Sequence, residues 1–261
     1  MIDYHIHTSL CNHARGRMED YILRAIKKGL IEICFMDHLT LQGAGAANTM
    51  QPGEVPLYFQ SIQVLKEKYA DKISIKAGLE VDFDENLVEE IENLTNIFAF
   101  DAIGASVHFS GGLNLASRKS RNAVEAGNAT NIIKSYIEKL DRMLDFDFFD
   151  IICHIDLPKK FMGKAFSVFP SVLPVLKKTA EKGKAIEINT SGFYHPCGEF
   201  YPEEAILSEC FRLGIPVTLG SDSHSPEETG RDHELALKMA KNAGYEKLCT
   251  FKKRKMNLIN C

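Results

Sequence analysis

The sequence predicts an α/β barrel, incomplete or distorted, on three observations. Short apolar, β-rich runs recur along the chain. Amphipathic helical stretches lie between them, several closed by a glycine. The interval between successive runs fits a strand–helix unit of about 30 residues. Such alternation gives a parallel sheet with right-handed crossovers. Six or seven units favour closure over an open sheet, yet several helices are short for wrapping a full eight-fold barrel.

Strands are expected at Ile2–His7, Ile33–Asp37, Ile73–Glu80, Ala102–His108, Ile151–His154, Ala185–Asn189 and Val217–Ser221, each bounded by polar or turn residues. In the first helix Met18, Ile22 and Ile26 recur every four residues. Glu19 and Asp20 open it, Lys27 and Lys28 end it, and Gly29 follows. Acid first, base last and glycine after satisfy the helix dipole and the C-cap. The pattern returns at Val172–Lys182 before Gly183 and at Glu203–Leu213 before Gly214. Met239, Ala240 and Ala243 before Gly244 mark a last helix.

The chain has 261 residues, 45% hydrophobic and 25% charged, which fits a globular protein and a single domain over residues 1–261. A net charge of −4 gives no footprint for nucleic acid, and the run Lys252-Lys253-Arg254-Lys255 reads as a solvated end. No stretch approaches the roughly 18 apolar residues of a membrane span. The segment Met1–His5 lacks the basic and apolar regions of a signal peptide. Seven cysteines without a CxxC pair fit reduced thiols in the cytoplasm, with Cys34, Cys153 and Cys210 as core residues.

His5, His7, His38, His108 and His154 fall at the C-terminal ends of expected strands, and His224 lies just beyond another. Glu80 closes the third strand and Asp222 follows the seventh. The steps from His5 to His38, Glu80, His108, His154 and Asp222 are 33, 42, 28, 46 and 68 residues, the last holding two units. Ligand spacing therefore matches strand spacing, and C-terminal strand ends form the active face of parallel α/β folds. His5 and His7 alternate with period two, so both rings point to one side. Asp222 and His224 repeat the pattern, and His13 in the first loop is within reach of the same mouth. One histidine near a strand end is ordinarily just hydrogen-bonded. Eight donor groups meeting at one rim without a cation would be costly to desolvate. Mixed imidazole and carboxylate ligands suit Zn, Fe or Mn.

Asp37, preceding His38 on a strand, is expected to point the other way and be structural. Asp156, two residues after His154, is expected on the ligand side, orienting a ligand or a water. Ser9, Ser106 and Cys153 read as packing groups or as supports behind the ligands, and His233 as solvent-facing. Gly43-Ala44-Gly45 lacks the third glycine of a dinucleotide turn, so no nucleotide cofactor is expected. Arg118 and Lys160 are candidate cations for an anionic ligand at this mouth. His195 is a candidate to contact substrate or donate a proton to it, and Asn189 to touch ligand.

Tyr4-His5-Ile6-His7-Thr8, Asp37-His38, Gly78-Leu79-Glu80-Val81-Asp82, Ser106-Val107-His108, Cys153-His154-Ile155-Asp156, Glu187-Ile188-Asn189 and Gly220-Ser221-Asp222-Ser223-His224 resemble the motifs of the PHP (polymerase and histidinol phosphatase) family. In order and spacing they are most similar to its stand-alone L-histidinol-phosphate phosphatases. The resemblance implies a distorted (β/α)7 barrel of the PHP type, holding three divalent ions. One ion would be held by His5, His7, Glu80 and Asp222, a second by Glu80, His108 and His154, and a third by His13, His38 and His224. It also implies hydrolysis of the small-molecule ester L-histidinol phosphate to L-histidinol and inorganic phosphate, a step of histidine biosynthesis. A hydroxide bridging two ions would be the nucleophile. Other readings are a PHP-type phosphoesterase for a nucleotide, sugar phosphate or phosphotyrosine, and a metal-binding module without activity. An amidohydrolase is disfavoured, since no lysine stands at these strand ends for carboxylation. The chain departs from the resemblance at Ser110–Arg121, where an acidic and aromatic stretch is often found.

Overall fold

A computed structural model of the chain describes residues 1–118, 120–123, 128–161 and 167–261. Lys119, within the divergent segment, lies outside the described residues. In chain order the elements are β1 (Ile2–Ile6), α1 (Met18–Lys27), β2 (Glu32–Leu39), α2 (Val55–Lys68), β3 (Ser74–Asp82), α3 (Val88–Asn96), β4 (Ala102–Ser106), β5 (Phe109–Ser110), β6 (Leu113–Asn114), α4 (Ser120–Ala123), α5 (Ala129–Met143), β7 (Ile151–Ile152), α6 (Leu173–Glu181), β8 (Ala185–Asn189), α7 (Glu204–Arg212), β9 (Val217–Gly220), α8 (His233–Ala243), β10 (Lys247–Lys252) and β11 (Lys255–Asn260).

The main sheet has seven strands in the order β1-β2-β3-β4-β7-β8-β9, all parallel. These are the seven runs expected from sequence. β2 and β3 pair without a break from Glu32↔Ser74 to Leu39↔Val81. β7 shrinks to two residues, so the wall is weakest there. Strand side chains and the apolar faces of the helices form one core, filled on the helix side by Tyr21, Ile22, Tyr58, Ile62, Ile91, Tyr136, Leu176 and Ile206. The glycines expected at helix ends, Gly29, Gly183, Gly214 and Gly244, all have positive φ. Among the described residues no helix is long and apolar enough to cross a membrane. All seven cysteines are free, and every one but Cys261 is buried.

β1 and β9 form the two margins of the sheet and share no ladder. A single parallel bridge, Ile6↔Ser223, joins them. The His7 amide donates to the Ser223 carbonyl at 3.0 Å, and the Ser223 amide to His5 at 3.3 Å. Below the bridge the buried carboxylate of Asp3 accepts from the Ser221 amide and hydroxyl (2.9 and 2.6 Å) and from the Gly230 amide at 2.8 Å. Three anchoring bonds to one carboxylate thus stand in for a strand ladder.

The three lysines of Lys252–Lys255 are exposed, as expected of a solvated run, and Lys253 and Arg254 form the turn between β10 and β11. Arg254 pairs with Asp150 and donates to the Phe148 carbonyl at 2.8 Å, while the Lys253 amide donates to Asp101 at 3.2 Å. The basic run ends in a guanidinium matched to a half-buried carboxylate, which the charge count alone does not reveal. His233 is misjudged. It starts α8, but its ring is buried beside Asp3, with Nε2 at 4.0 Å from Oδ1.

Candidate metal centre

Parallel strands in register set ligands side by side. His38 on β2 lies opposite Glu80 on β3. His5 on β1 and His7 just past its end present their rings on one side, with centroids 4.8 Å apart. His108 and His154 lie beyond the ends of β4 and β7, and Asp222 and His224 beyond β9. His154 and Asp222 hold φ values of 27° and 53°, a strained backbone for residues with side chains. Such strain at two donors marks a site whose surroundings dictate their position.

Glu80 is the hub. Its Oε2 lies 2.7 Å from His38 Nδ1, 3.4 Å from His5 Nε2 and 3.7 Å from His7 Nε2. Its Oε1 lies 2.8 Å from His154 Nε2 and 3.6 Å from His108 Nε2. Asp222 Oδ1 stands 3.0 Å from His7 Nε2, 3.9 Å from His5 Nε2 and 3.7 Å from His224 Nδ1. The ring of His13 completes the mouth, 4.5 Å from that of His224 and 5.3 Å from that of His38. All the predicted donors therefore converge.

Do these donors fit cations? Ligand atoms about 2.0–2.1 Å from one tetrahedral ion stand roughly 3.3 Å apart. The separations around Glu80 and Asp222 scatter about that length. His5 Nε2 and His224 Nε2 are buried without a hydrogen-bond partner. Orphaned buried polar atoms are costly, and a shared cation removes the cost. Burial pushes the Glu80 carboxyl up, but His38, His5 and His108 outweigh it and hold it well below its usual range. Asp222 behaves alike, with His5 and His7 outweighing burial. Both carboxylates are thus ionised. The donor set fits divalent transition metals.

An outer layer of carboxylates orients these rings. Glu187 on β8 sets Oε1 at 2.7 Å from His5 Nδ1, while its Oε2 accepts from the His154 amide and from Asn189 Nδ2, both at 3.0 Å. Gly220 makes room for this approach, since a Cβ there would lie 1.9 Å from Glu187 Oε1 and 2.7 Å from His5 Cβ. Asp37 stands 3.3 Å from His7 Nδ1 and accepts from Thr8. Asp37 thus takes the structural role expected of it, holding His7 and Thr8 in place. Burial would lower His7, but its bonds to Asp222 and Asp37 lift it to about 9. Asp82 accepts from the His108 amide at 2.9 Å, and burial raises it to about 7. Ser106 Oγ lies 3.1 Å from His108 Nδ1.

Above the donors opens a cavity of about 590 Å³, lined by Thr40, Asn48, Phe109, Asn114, Ala116, Ser117, Leu157, Lys160, Ser191, Tyr194, His195, Glu228 and Arg231 beside the ligands. The small hairpin β5–β6 supplies Phe109 and Asn114, and the divergent segment continues past it with Ala116 and Ser117. Lys160 and His195 stand in this wall, and burial lowers the pKa of both. His195 is pushed down to about 4, Lys160 adding to the effect. Arg118 is exposed and outside the wall. Asn189 lies beneath it, buried, its amide 3.3 Å from Asp222 Oδ2, where Ser191 Oγ also donates at 3.0 Å. Asp156 turns away from the ligands to pair with buried Lys159 at 2.8 Å, because the turn at His154 breaks the strand alternation.

Sequence reasoning gave no role to Glu187, Asp82 or Arg231. The first two carried a signal: a carboxylate buried within an apolar strand needs a partner. Arg231 carried none, since it sits in a loop.

Comparison with known proteins agrees with this geometry. A model of the PHP domain matches residues 3–191. A protein of Deinococcus radiodurans named "Probable histidinol-phosphatase" is 31% identical over 98% of both chains. The histidinol-phosphatase of Lactococcus lactis is 28% identical, over 98% of this chain and 96% of its own. A Lactococcus lactis histidinol phosphate phosphatase, solved with zinc, L-histidinol and phosphate, superposes with a TM-score of 0.84 at 28% identity, covering 98% of each chain. The distorted seven-stranded barrel, the converging donors and these matches along nearly the whole length lead to one conclusion: the chain belongs to the PHP family.

Proposed function

We propose that residues 1–261 form a single PHP metallophosphoesterase domain that hydrolyses L-histidinol phosphate to L-histidinol and phosphate. The observation that carries this reading is the ring of donors around Glu80, with orphaned buried atoms at its centre and a cationic cavity above. The substrate follows from likeness to the Lactococcus lactis phosphatase solved with zinc, L-histidinol and phosphate.

Three ions of Zn, Fe or Mn are assigned. His5, His7, Glu80 and Asp222 would hold one, Glu80, His108 and His154 a second, and His13, His38 and His224 a third. Bound there, such ions lower the pKa of a water and neutralise charge on phosphoryl oxygens. The chain does the rest. Glu187 and Asp37 fix the rings of His5 and His7 and select which ring nitrogen faces the site. Asn189 and Ser191 hold Asp222. Lys160 gives the cavity a desolvated positive charge for the phosphate. His195 is neutral in the free site, and a phosphoryl dianion beside it reverses the sign of the local field, favouring the protonated ring that a leaving alkoxide needs. The buried free cysteines fit a reducing compartment, so we place the enzyme in the cytoplasm.

The test is phosphate release from L-histidinol phosphate with ion content per chain measured on the same sample. The expected result is strong turnover, lost on chelation and restored by a divalent transition ion. Equal kcat/KM on unrelated monoesters would refute the substrate, and activity without metal would refute the site.

A further inference from the structure

The cavity wall carries a cation besides Lys160 that the ligand pattern does not announce. Arg231 lies on the loop between β9 and α8, and its guanidinium carbon sits 3.5 Å from the centroid of the Tyr194 ring. Nη1 lies 3.3 Å from Glu228 Oε1, and Nε is buried without a hydrogen-bond partner. The backbone is fixed as well. The Arg231 amide donates to the Glu228 carbonyl at 2.9 Å, and Thr190 Oγ1 donates to the Arg231 carbonyl at 2.8 Å. Tyr194 is itself held, its hydroxyl donating to Asp232 at 2.5 Å. A side chain with much rotamer freedom is thus ordered before any ligand arrives.

What would use it? A guanidinium presents five N–H groups in a fork that matches a phosphate edge. Lys160, His195 and Arg231 line the same cavity wall. The donor cluster forms the floor of the same cavity. With the Tyr194 ring against one face of the guanidinium, Arg231 is left its N–H edge for an oxyanion in this cavity.

We propose that Arg231 is a substrate-binding residue, pre-set by Tyr194 and Glu228 to take a non-bridging phosphoryl oxygen and to favour dianionic monoesters over monoanionic diesters. The proposal rests on the phosphatase reading, and its test keeps the two apart. Metal-loaded full-length R231M, R231K and Y194L are compared with wild type. Three quantities are read: competitive inhibition by inorganic phosphate, kcat/KM for L-histidinol phosphate against bis(p-nitrophenyl) phosphate, and ion content per chain.

A charge-assisted hydrogen bond contributes enough for R231M to weaken inhibition by phosphate about 10- to 100-fold. Monoester kcat/KM falls by at least that factor and diester kcat/KM by less, with ion content unchanged. R231K recovers only part, because an ammonium cannot stack or fork. Y194L moves the same ratio by a smaller factor. An unchanged phosphate constant in R231M overturns the proposal. So does loss of ions in R231M, which would make Arg231 a prop for His224 acting through Glu228, whose Oε2 accepts from the His224 amide at 2.9 Å. If wild type cleaves no monoester, the phosphatase reading falls, and calorimetric titration of phosphate into wild type and R231M still decides the role of Arg231.

Discussion

Replacing Glu187 by glutamine changes one atom and tests the whole supporting layer. All three partners of this carboxylate are donors: His5 Nδ1, the His154 amide and Asn189 Nδ2. Glutamine offers one acceptor and one NH₂ group. With its oxygen toward His5, the NH₂ faces two donors. Flipped, the NH₂ faces His5 Nδ1 and drives the ring proton to Nε2, the nitrogen aimed at the ion. In the first orientation His5 keeps only a neutral acceptor in place of a carboxylate, and in the second it loses the partner that fixes its tautomer. Loss of a carboxylate behind a metal-bound histidine weakens metal binding about 10- to 100-fold, or roughly 1.4–2.7 kcal/mol. The assay is ion retention against a chelator series, read by elemental analysis, with activity followed in parallel. E187Q should release metal at 10- to 100-fold lower chelator and regain turnover at high ion concentration. If its release curve coincides with wild type while turnover falls, Glu187 acts on the reaction and not on the ligand, and the reasoning fails.

Three further outcomes follow from the same geometry. G220A places a Cβ against Glu187 Oε1 and His5 Cβ, so it should lose metal as E187Q does and cost a further 1–3 kcal/mol of stability, measured by denaturant melts. Because His7 is lifted to about 9 in the metal-free pocket, it is protonated below that pH and an entering ion must displace the proton. Apparent metal affinity should therefore rise with pH from 7 toward about 9 and then level, with protons released at pH 7. Calorimetry in buffers of different ionisation heat checks this, and flat affinity refutes it. K159M strands the buried Asp156 carboxylate. Breaking a buried pair costs about 3–5 kcal/mol, or roughly 6–20 °C in Tm at about 2–4 °C per kcal/mol. The double variant D156N/K159M should recover most of it.

The strands were legible because each is a short apolar run whose polar terminus interrupts the pattern. The convergence of the donors was legible for the same reason: imidazoles and carboxylates recur at the ends of most of the strands. Period-two reasoning held for His5 and His7, which meet the same two carboxylates. It failed for Asp156, where the turn at His154 takes the chain out of the pleat. Arg231 and Tyr194 were illegible because they meet across two loops, and sequence distance says little about loop contacts. His233 was misread because its position at a helix start resembles that of a solvated residue, whereas the seam beneath it draws the ring inward.

The weak join between β1 and β9 gives the cations a second task. His5 and His7 belong to one margin of the sheet, Asp222 and His224 to the other. An ion gripped from both sides would work as a buckle on a hoop whose ends otherwise meet at one backbone rung and the Asp3 anchor. Loading and hoop closure then share one free energy, since whatever binds only the closed form also stabilises it. Stripping the metal should loosen this side of the hoop first, and hydrogen exchange at the Ser223 amide is the place to watch it happen.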